Sequence, residues 1–182
     1  MMFSLLELLN LIIATAVVGY IFSGIIKIEK ENGLVLNKRF DWEKFKFAVL
    51  VAAPGIILHE LAHKFTAIGF GLQAVFELFP LGLAIGIILK LIGSSFILLA
   101  PGYVSILGAS NLQSSLTALA GPLINGILWL TGYLVVKHLN NLSRKSALFW
   151  IYTQEINKWL FIFNLLPIPP LDGYKVFGWL FF

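Results

Sequence analysis

Apolar residues fill several long segments of the chain, separated by short polar stretches. A segment of about 20 apolar residues crosses a bilayer as a helix. The segments of this length are Leu5–Ile28, Phe45–Gly69, Leu116–Lys137 and Ser146–Leu166. Charged residues, and not a small-residue cleavage site, follow the first segment, so it is predicted to be a retained transmembrane helix. It is expected to lie at the periphery of a single domain over 1–182, whose core covers about 45–173.

The segment from Phe70 to Gly108 is apolar but is interrupted by several glycines and prolines. Its pattern predicts strands and a helix too short to span, with Pro101 and Gly102 at the centre of a type II turn. The predicted elements are a helix over 81–92 and strands over 71–79, 96–100 and 103–107. Two alternatives stay open: a sheet inserted into or re-entering the membrane, or one more spanning helix over 76–100.

The most polar stretch runs from Lys27 to Lys46 and contains both basic and acidic residues. By the positive-inside rule this stretch is cytoplasmic, which places the N-terminus outside. Asn32 and Gly33 are a turn signal, and with Leu34–Leu36 beside them they predict a small hairpin or edge strand.

A second basic stretch contains Lys137, Arg144 and Lys145 and is also predicted to be cytoplasmic. The chain must then cross the membrane an even number of times between the helices over 45–69 and 116–137. A re-entrant sheet meets this condition, and a single additional helix does not. The predicted fold is therefore an all-α membrane bundle of about four to six transmembrane helices with a small membrane-inserted or re-entrant β-sheet.

Composition supports a membrane protein and narrows the possible chemistry. The chain is 59% hydrophobic and 12% charged, with a mean hydropathy of +0.90, which is far from the usual composition of soluble domains. It is predicted to be a multi-pass protein of the cell membrane. The net charge of +4 resides mostly in the two basic stretches, so it indicates membrane orientation and not nucleic-acid binding. The absence of cysteine excludes disulfides, Cys-ligated zinc and iron–sulfur clusters.

The sequence His59-Glu60-Leu61-Ala62-His63 lies inside the second apolar segment. Residues four apart share one face of a helix, so both histidines can bind one metal ion while Glu60 reaches a water beside it. A catalytic zinc also requires a third protein ligand and an open position. The ordinary alternative is a pair of core histidines, but such polar residues are costly within a membrane unless they are paired, metal-bound or functional.

Polar residues also occur in the later apolar segments. Asn125 lies four residues after Gly121, and its ordinary role would be a hydrogen bond between helices. Asp172 precedes Gly173 after a proline-rich stretch. It is either the N-cap of a final helix over 173–182 or the missing metal ligand. The helix over 146–166 has a polar side that is predicted to face protein or water, formed by Thr153, Gln154, Asn157, Lys158 and Asn164.

Three motifs together resemble those of the site-2 protease family of intramembrane zinc metalloproteases. They are His59-Glu60-x-x-His63, Gly121-Pro122-x-x-Asn125 and Asn164-x-x-Pro167-x-Pro169-x-x-Asp172-Gly173. The resemblance covers about 45–173 and implies a helix bundle with a membrane-inserted sheet. It also implies one zinc ion per chain, held by His59, His63 and Asp172. Glu60 is then the general base, and Asn125 and Asn164 lie where they steady the substrate or its oxyanion.

The function implied is hydrolysis of peptide bonds within or next to transmembrane segments of protein substrates in the lipid bilayer. One rival is another type of membrane metalloprotease, with Glu77 or Glu155 as the third ligand. A second rival is a zinc or cation transporter, which would need more polar groups along its axis than one cluster. A third is a catalytically inactive membrane scaffold. The complete set of three ligands and a glutamate favours the protease.

Overall fold

A computed structural model describes residues 2–26, 40–94, 100–139 and 141–178 of the chain. The predicted hairpin at Asn32 and Gly33 lies outside these residues, and so do residues 96–99 of the predicted strand over 96–100. The described part is mostly helical. Its elements are α1 (Leu5–Phe22), α2 (Trp42–Gly69), β1 (Gln73–Leu78), α3 (Pro80–Leu91), β2 (Gly102–Leu107), α4 (Asn111–His138), α5 (Arg144–Asn164) and α6 (Asp172–Gly178).

Three helices of the described part, α1, α2 and α4, are long and apolar enough to cross a membrane. This agrees with the membrane protein that the sequence predicts. The helix α5 has 21 residues, enough to span by length, but it is not apolar enough to belong to this group. The chain therefore has three candidate spans in its described residues, and a count of four to six stays a prediction.

The start of α4 differs from the predicted start near Leu116. Ser110 is the N-cap, because its hydroxyl accepts a hydrogen bond from Gln113 N at 3.3 Å while Gln113 Oε1 accepts one from Ser110 N at 2.9 Å. This reciprocal capping box satisfies two backbone donors at the helix end. Ser115 instead is buried and donates to the carbonyl of Val176 at 2.8 Å. The helix consequently begins earlier than the apolar pattern indicated.

The broken apolar stretch forms a strand, a short helix and a second strand. β1 and β2 pair antiparallel, with Gln73 opposite Leu107 and Leu78 opposite Gly102. The 12 residues of α3 lie between them in sequence, so the chain leaves and re-enters the sheet at the same end. The strand interpretation is confirmed, and the alternative of one helix over 76–100 is wrong.

The type II turn predicted at Pro101 and Gly102 is also wrong. Such a turn needs a positive φ at its glycine, and Gly102 is not among the positive-φ glycines. It is the first residue of β2, where a Cβ would lie 2.5 Å from the carbonyl oxygen of Glu77. The glycine is therefore needed for close approach of the two strands and not for a turn.

The helix α2 lies at the centre of the bundle. Val18 of α1 packs with Ala52, Ala53 and Ile56 of α2 in a buried apolar cluster. The rings of Phe3 and Phe65 also meet, at 6.1 Å between centroids, so α1 and α2 run antiparallel. On its other sides α2 contacts α4 and α5. The predicted metal-binding helix is thus enclosed by the other helices.

Candidate metal centre

The centre is built where α2 and α4 cross in antiparallel register. The contact positions on α2 are Gly55, His59 and His63. Those on α4 are Asn125, Gly121 and Thr117. Within each helix these positions are four residues apart. Four-residue spacing places each set on one helix face. Gly55 lies opposite Asn125, both histidines lie against Gly121, and His63 lies opposite the Thr117 carbonyl. The register brings the two imidazoles to the helix interface.

A backbone carbonyl fixes the orientation of His63. Two side-chain amides, which backbone carbonyls hold in place, fix the orientation of His59. His63 Nδ1 donates to Thr117 O at 2.7 Å. Asn157 Nδ2 donates to Thr153 O at 2.8 Å, which leaves its oxygen to accept from Asn125 Nδ2 at 2.9 Å. Asn125 Nδ2 also donates to Gly55 O at 3.0 Å.

The oxygen of Asn125 therefore faces His59 and accepts from its Nδ1 at 2.6 Å. Since a carbonyl oxygen only accepts, both histidines carry their proton on Nδ1 when neutral. Each Nε2 then has a free lone pair. This is the arrangement that prepares a neutral imidazole to bind a metal through Nε2.

The two lone pairs converge with the carboxylate of Asp172. His59 Nε2 and His63 Nε2 are 3.0 Å apart, and Asp172 Oδ2 lies 3.0 Å from the first and 3.3 Å from the second. Three acceptors at such distances repel one another unless a cation lies between them. Donor atoms about 2.1 Å from one tetrahedral ion lie roughly 3.4 Å apart. The donor set therefore fits a single zinc ion.

Burial raises the pKa of the Asp172 carboxyl, but the adjacent His59 and His63 outweigh burial and hold that pKa below its ordinary value. Asp172 is thus an anion at neutral pH. It begins the short helix α6, and its carboxylate contacts the histidines rather than serving only as a helix cap.

Gly121 makes room for the two imidazoles. A Cβ there would lie 2.5 Å from His63 Nε2 and 2.7 Å from the Cε1 of His59. Real Cβ atoms essentially never approach other atoms below 3.0 Å, so any larger residue would push the rings apart. The Gly-Pro motif of α4 therefore serves the metal position directly.

Glu60 lies in the same buried region and is only 8% exposed. Within the described part of the chain its carboxylate forms no hydrogen bond or ion pair, in contrast to Asp172. It follows His59 in the helix, beside the convergent donors. A buried carboxylate without a protein partner is free to bind a water molecule.

The remaining acidic candidates lie outside the cluster. Glu77 accepts a hydrogen bond from Tyr103 at 3.0 Å, and Glu155 pairs with Lys158 at 2.5 Å. Among the described residues, His59, His63 and Asp172 form the only group that could hold a metal ion. The structure therefore gives no support to Glu77 or Glu155 as the third ligand.

Two asparagines predicted near the substrate have different positions. Asn164 is the last residue of α5 and is partly exposed, and its side chain forms no hydrogen bond with the described residues. Asn125 is fully buried, and both of its amide donors are used by Gly55 and Asn157. It therefore has no donor left for an oxyanion, and the geometry makes it a positioning residue for His59.

Sequence reasoning missed one contributor to the centre, the Thr117 carbonyl, whereas the small size of Gly121 already indicated a close approach at that position. A backbone carbonyl has no residue-type signal, so Thr117 was not visible as a partner of His63. The four-residue spacing of Thr117, Gly121 and Asn125 was visible, and it matches the spacing on α2. Matching the two repeats would have predicted the helix register.

Replacing Asn125 by Leu is expected to lower zinc affinity about 10- to 100-fold, the usual effect of losing an outer partner of a metal-ligating histidine. The change removes the acceptor of His59 Nδ1 and leaves that ring free to rotate. Titration with a competing chelator measures the affinity. Thr131→Val, which removes an exposed hydroxyl that bonds within the same helix, is the control. Unchanged affinity in Asn125→Leu would contradict the positioning role.

The fold and the site define an apolar helical protein with a His-His-Asp centre suited to zinc. Comparison with curated proteins agrees with this class. A Methanocaldococcus jannaschii protein named "Putative zinc metalloprotease MJ0611" is 34% identical over 182 residues, covering 97% of this chain and 86% of that protein. A Bacillus subtilis protein named "Putative zinc metalloprotease YwhC" is 30% identical over 149 residues, covering 71% of this chain and 67% of that protein. The chain belongs to this zinc metalloprotease family.

No protein-family model matches the chain, and no solved structure matches it.

Proposed function

We propose that this protein is an intramembrane zinc metalloprotease of the site-2 protease type. It hydrolyses peptide bonds within or next to transmembrane segments of protein substrates. One observation carries the proposal: His59, His63 and Asp172 converge on one cation position, while the unpartnered carboxylate of Glu60 lies beside them, inside a helix suited to span a membrane. The names of the two relatives support the protease class.

The depth of the centre supports cleavage inside the bilayer. At 1.5 Å per residue, His59 lies about 25 Å from the start of α2 at Trp42 and about 15 Å from its end at Gly69. Both distances place the histidine well away from the ends of the helix. A substrate bond that reaches this centre is therefore expected to come from a membrane segment.

The chain's own residues have separate tasks in this reaction. When bound by His59, His63 and Asp172, zinc supplies Lewis-acid polarisation of a carbonyl and an acidified water. Glu60 accepts the proton of the attacking water and delivers it to the leaving amine. Asn125 holds His59 in the tautomer that binds metal. The enclosing helices keep bulk water from this low-dielectric site, which strengthens each of these interactions.

The proposal includes a topology. α5 is a fourth crossing, the N-terminus is outside, and the protein lies in the cell membrane with one zinc ion per chain. The strands β1 and β2 provide an edge for a substrate segment that has unwound, because a helix hides its carbonyls in internal hydrogen bonds. The transporter and inactive-scaffold alternatives have no specific observation in their favour, and the Glu60 carboxylate, which has no hydrogen bond or ion pair among the described residues, is free for catalysis.

The test is cleavage in vesicles that contain purified protein and a single-span substrate. We expect cut sites inside the span, loss of cleavage after chelation, and recovery after zinc is added. Zinc content is measured on the same samples. Zinc transport into the vesicles without cleavage of any span would replace the protease by a transporter.

A further inference from the structure

Lys175 lies in the short helix α6, three residues after Asp172. Residues three apart are neighbours on the surface of a helix, so Lys175 and Asp172 lie on adjoining parts of α6. The Asp172 carboxylate contacts the imidazoles of both His59 and His63. Lys175 is therefore carried at the border of the metal centre.

Two contacts hold α6 in place. Ser115 Oγ of α4 donates to Val176 O at 2.8 Å. A Cβ at Gly173 would lie 2.4 Å from Leu166 O, so the first turn of α6 packs against the chain after α5 as closely as a glycine allows. The fold thereby sets the position of Lys175 relative to the two histidines.

The Lys175 side chain is exposed, and its ammonium forms no hydrogen bond or ion pair with the described residues. It is also close enough to Glu60 for its positive charge to act on that buried carboxylate. The metal centre thus has a cationic side chain on the Glu60 side that no described carboxylate neutralises.

A cation at this depth requires a partner. Lys175 is three residues, or about 4.5 Å along a helix axis, from Asp172, whose carboxylate meets His59 well inside α2. Under the proposed function this position lies within the bilayer, where charged side chains are costly, rare and paired or functional. Because the described residues offer no anion at bonding distance, we expect the partner to be an anion that forms on the substrate.

Peptide hydrolysis creates such an anion. When the oxygen of the attacking water bonds to the scissile carbonyl carbon, the π electrons of the C=O bond move to its oxygen, and the proton of the water goes to Glu60. The C=O bond then re-forms, the C–N bond breaks, and the leaving nitrogen takes the proton from Glu60. Both amide donors of Asn125 are occupied, so Asn125 does not donate to this oxyanion.

We propose that Lys175 is a further catalytic residue, whose ammonium donates a hydrogen bond to the oxyanion that develops on the scissile carbonyl. The inference rests on the proposed function and adds to it a positive group that the chain itself supplies. A donor of this kind stabilises developing charge far more in a low-dielectric site than in water. The ordinary alternative is that Lys175, in the last turn of α6, only compensates the helix dipole, which would affect folding stability and not turnover.

The test compares Lys175→Met and Lys175→Arg with the unchanged protein in vesicles that contain a single-span substrate. We expect kcat to fall about 100-fold in Lys175→Met, the lower end of the usual effect of removing one oxyanion donor, with KM and zinc content unchanged. Lys175→Arg keeps a cationic donor and is expected to recover part of the lost rate. Lys145→Met removes an exposed lysine in the first turn of α5 and serves as the control with a normal rate.

A binding measurement separates the oxyanion from the substrate before reaction. A phosphinate peptide, in which an anionic tetrahedral group replaces the scissile amide, copies the charged intermediate and is expected to bind as a transition-state analogue. Its affinity should fall in Lys175→Met by about the same factor as kcat. The affinity for the amide peptide, measured in a Glu60→Gln background that binds without turnover, should stay the same.

The oxyanion role is overturned unless kcat and phosphinate affinity both fall in Lys175→Met. A raised KM with normal kcat would place Lys175 on the bound substrate before reaction, and a loss of zinc would assign it to the structure of the centre, so either result also overturns the role. If the unchanged protein cleaves no span, the protease function fails and this inference fails with it. If the unchanged protein and Lys175→Met cleave equally well, only this inference fails.

Discussion

Glu60→Gln is expected to abolish peptide hydrolysis and to leave zinc bound. The amide keeps the shape of the side chain but cannot accept the proton of the attacking water, and general acid–base catalysis of this kind contributes about 10²- to 10⁴-fold to a rate. The carboxylate is 8% exposed and has no bonded partner in the described residues, so its replacement breaks no ion pair. The measurement is the single-turnover rate in vesicles, together with zinc content.

The control for this variant is Glu43→Gln, which changes an exposed acid in the first turn of the same helix. It is expected to cleave at the normal rate. If Glu60→Gln also cleaves at the normal rate, Glu60 is not the base. If Glu60→Gln loses its zinc, the carboxylate is a ligand and its assignment must change.

Asp172→Ala is expected to lose zinc. The change removes one of three donors and leaves two neutral imidazoles, so affinity should fall by more than the roughly 10- to 100-fold typical of losing an outer partner. Zinc per chain after gel filtration, measured by elemental analysis, gives the result. Activity should disappear in parallel, since zinc is needed for the reaction.

Asp41→Ala serves as the comparison, because Asp41 is the other aspartate of the chain and caps the distant end of α2. It should retain its zinc. A full zinc content in Asp172→Ala would mean that another group completes the site, and the same measurement on Glu77→Ala and Glu155→Ala would then identify it.

Much of the fold was predictable because its signals are local. The apolar run around His59 is a helix, and the β-rich segment after Gly71 is a strand, as its pattern indicated. The start of α4 was misplaced because Ser110 and Gln113 form a local capping box outside the apolar run. Gly102 was misinterpreted as a turn residue. Its small size instead allows close contact with β1, more than 20 residues earlier in the chain. A Pro-Gly pair has the same sequence whether it forms a turn or begins a closely packed strand.

The metal centre was predictable in its residue types but not in its supporting contacts. His59 and His63 share one helix, so their spacing shows that they face one side. The role of Asn125 depends on how α2 and α4 are aligned, and this alignment is a tertiary property. Glu7 and Lys64, which form a buried ion pair, are 57 residues apart, so neither residue signals the other in the sequence.

The order of the ligands along the chain has a consequence for biosynthesis. The helix with both histidines is made early, whereas Asp172 follows α5, over a hundred residues later. At about 5–20 residues per second, the ribosome reaches Asp172 roughly 5–20 s after His63. During that interval the two histidines wait in the membrane with an incomplete ligand set. On the proposed function, a newly made chain therefore cannot cut neighbouring proteins until α5 and Asp172 have been synthesised and the aspartate has reached the two histidines.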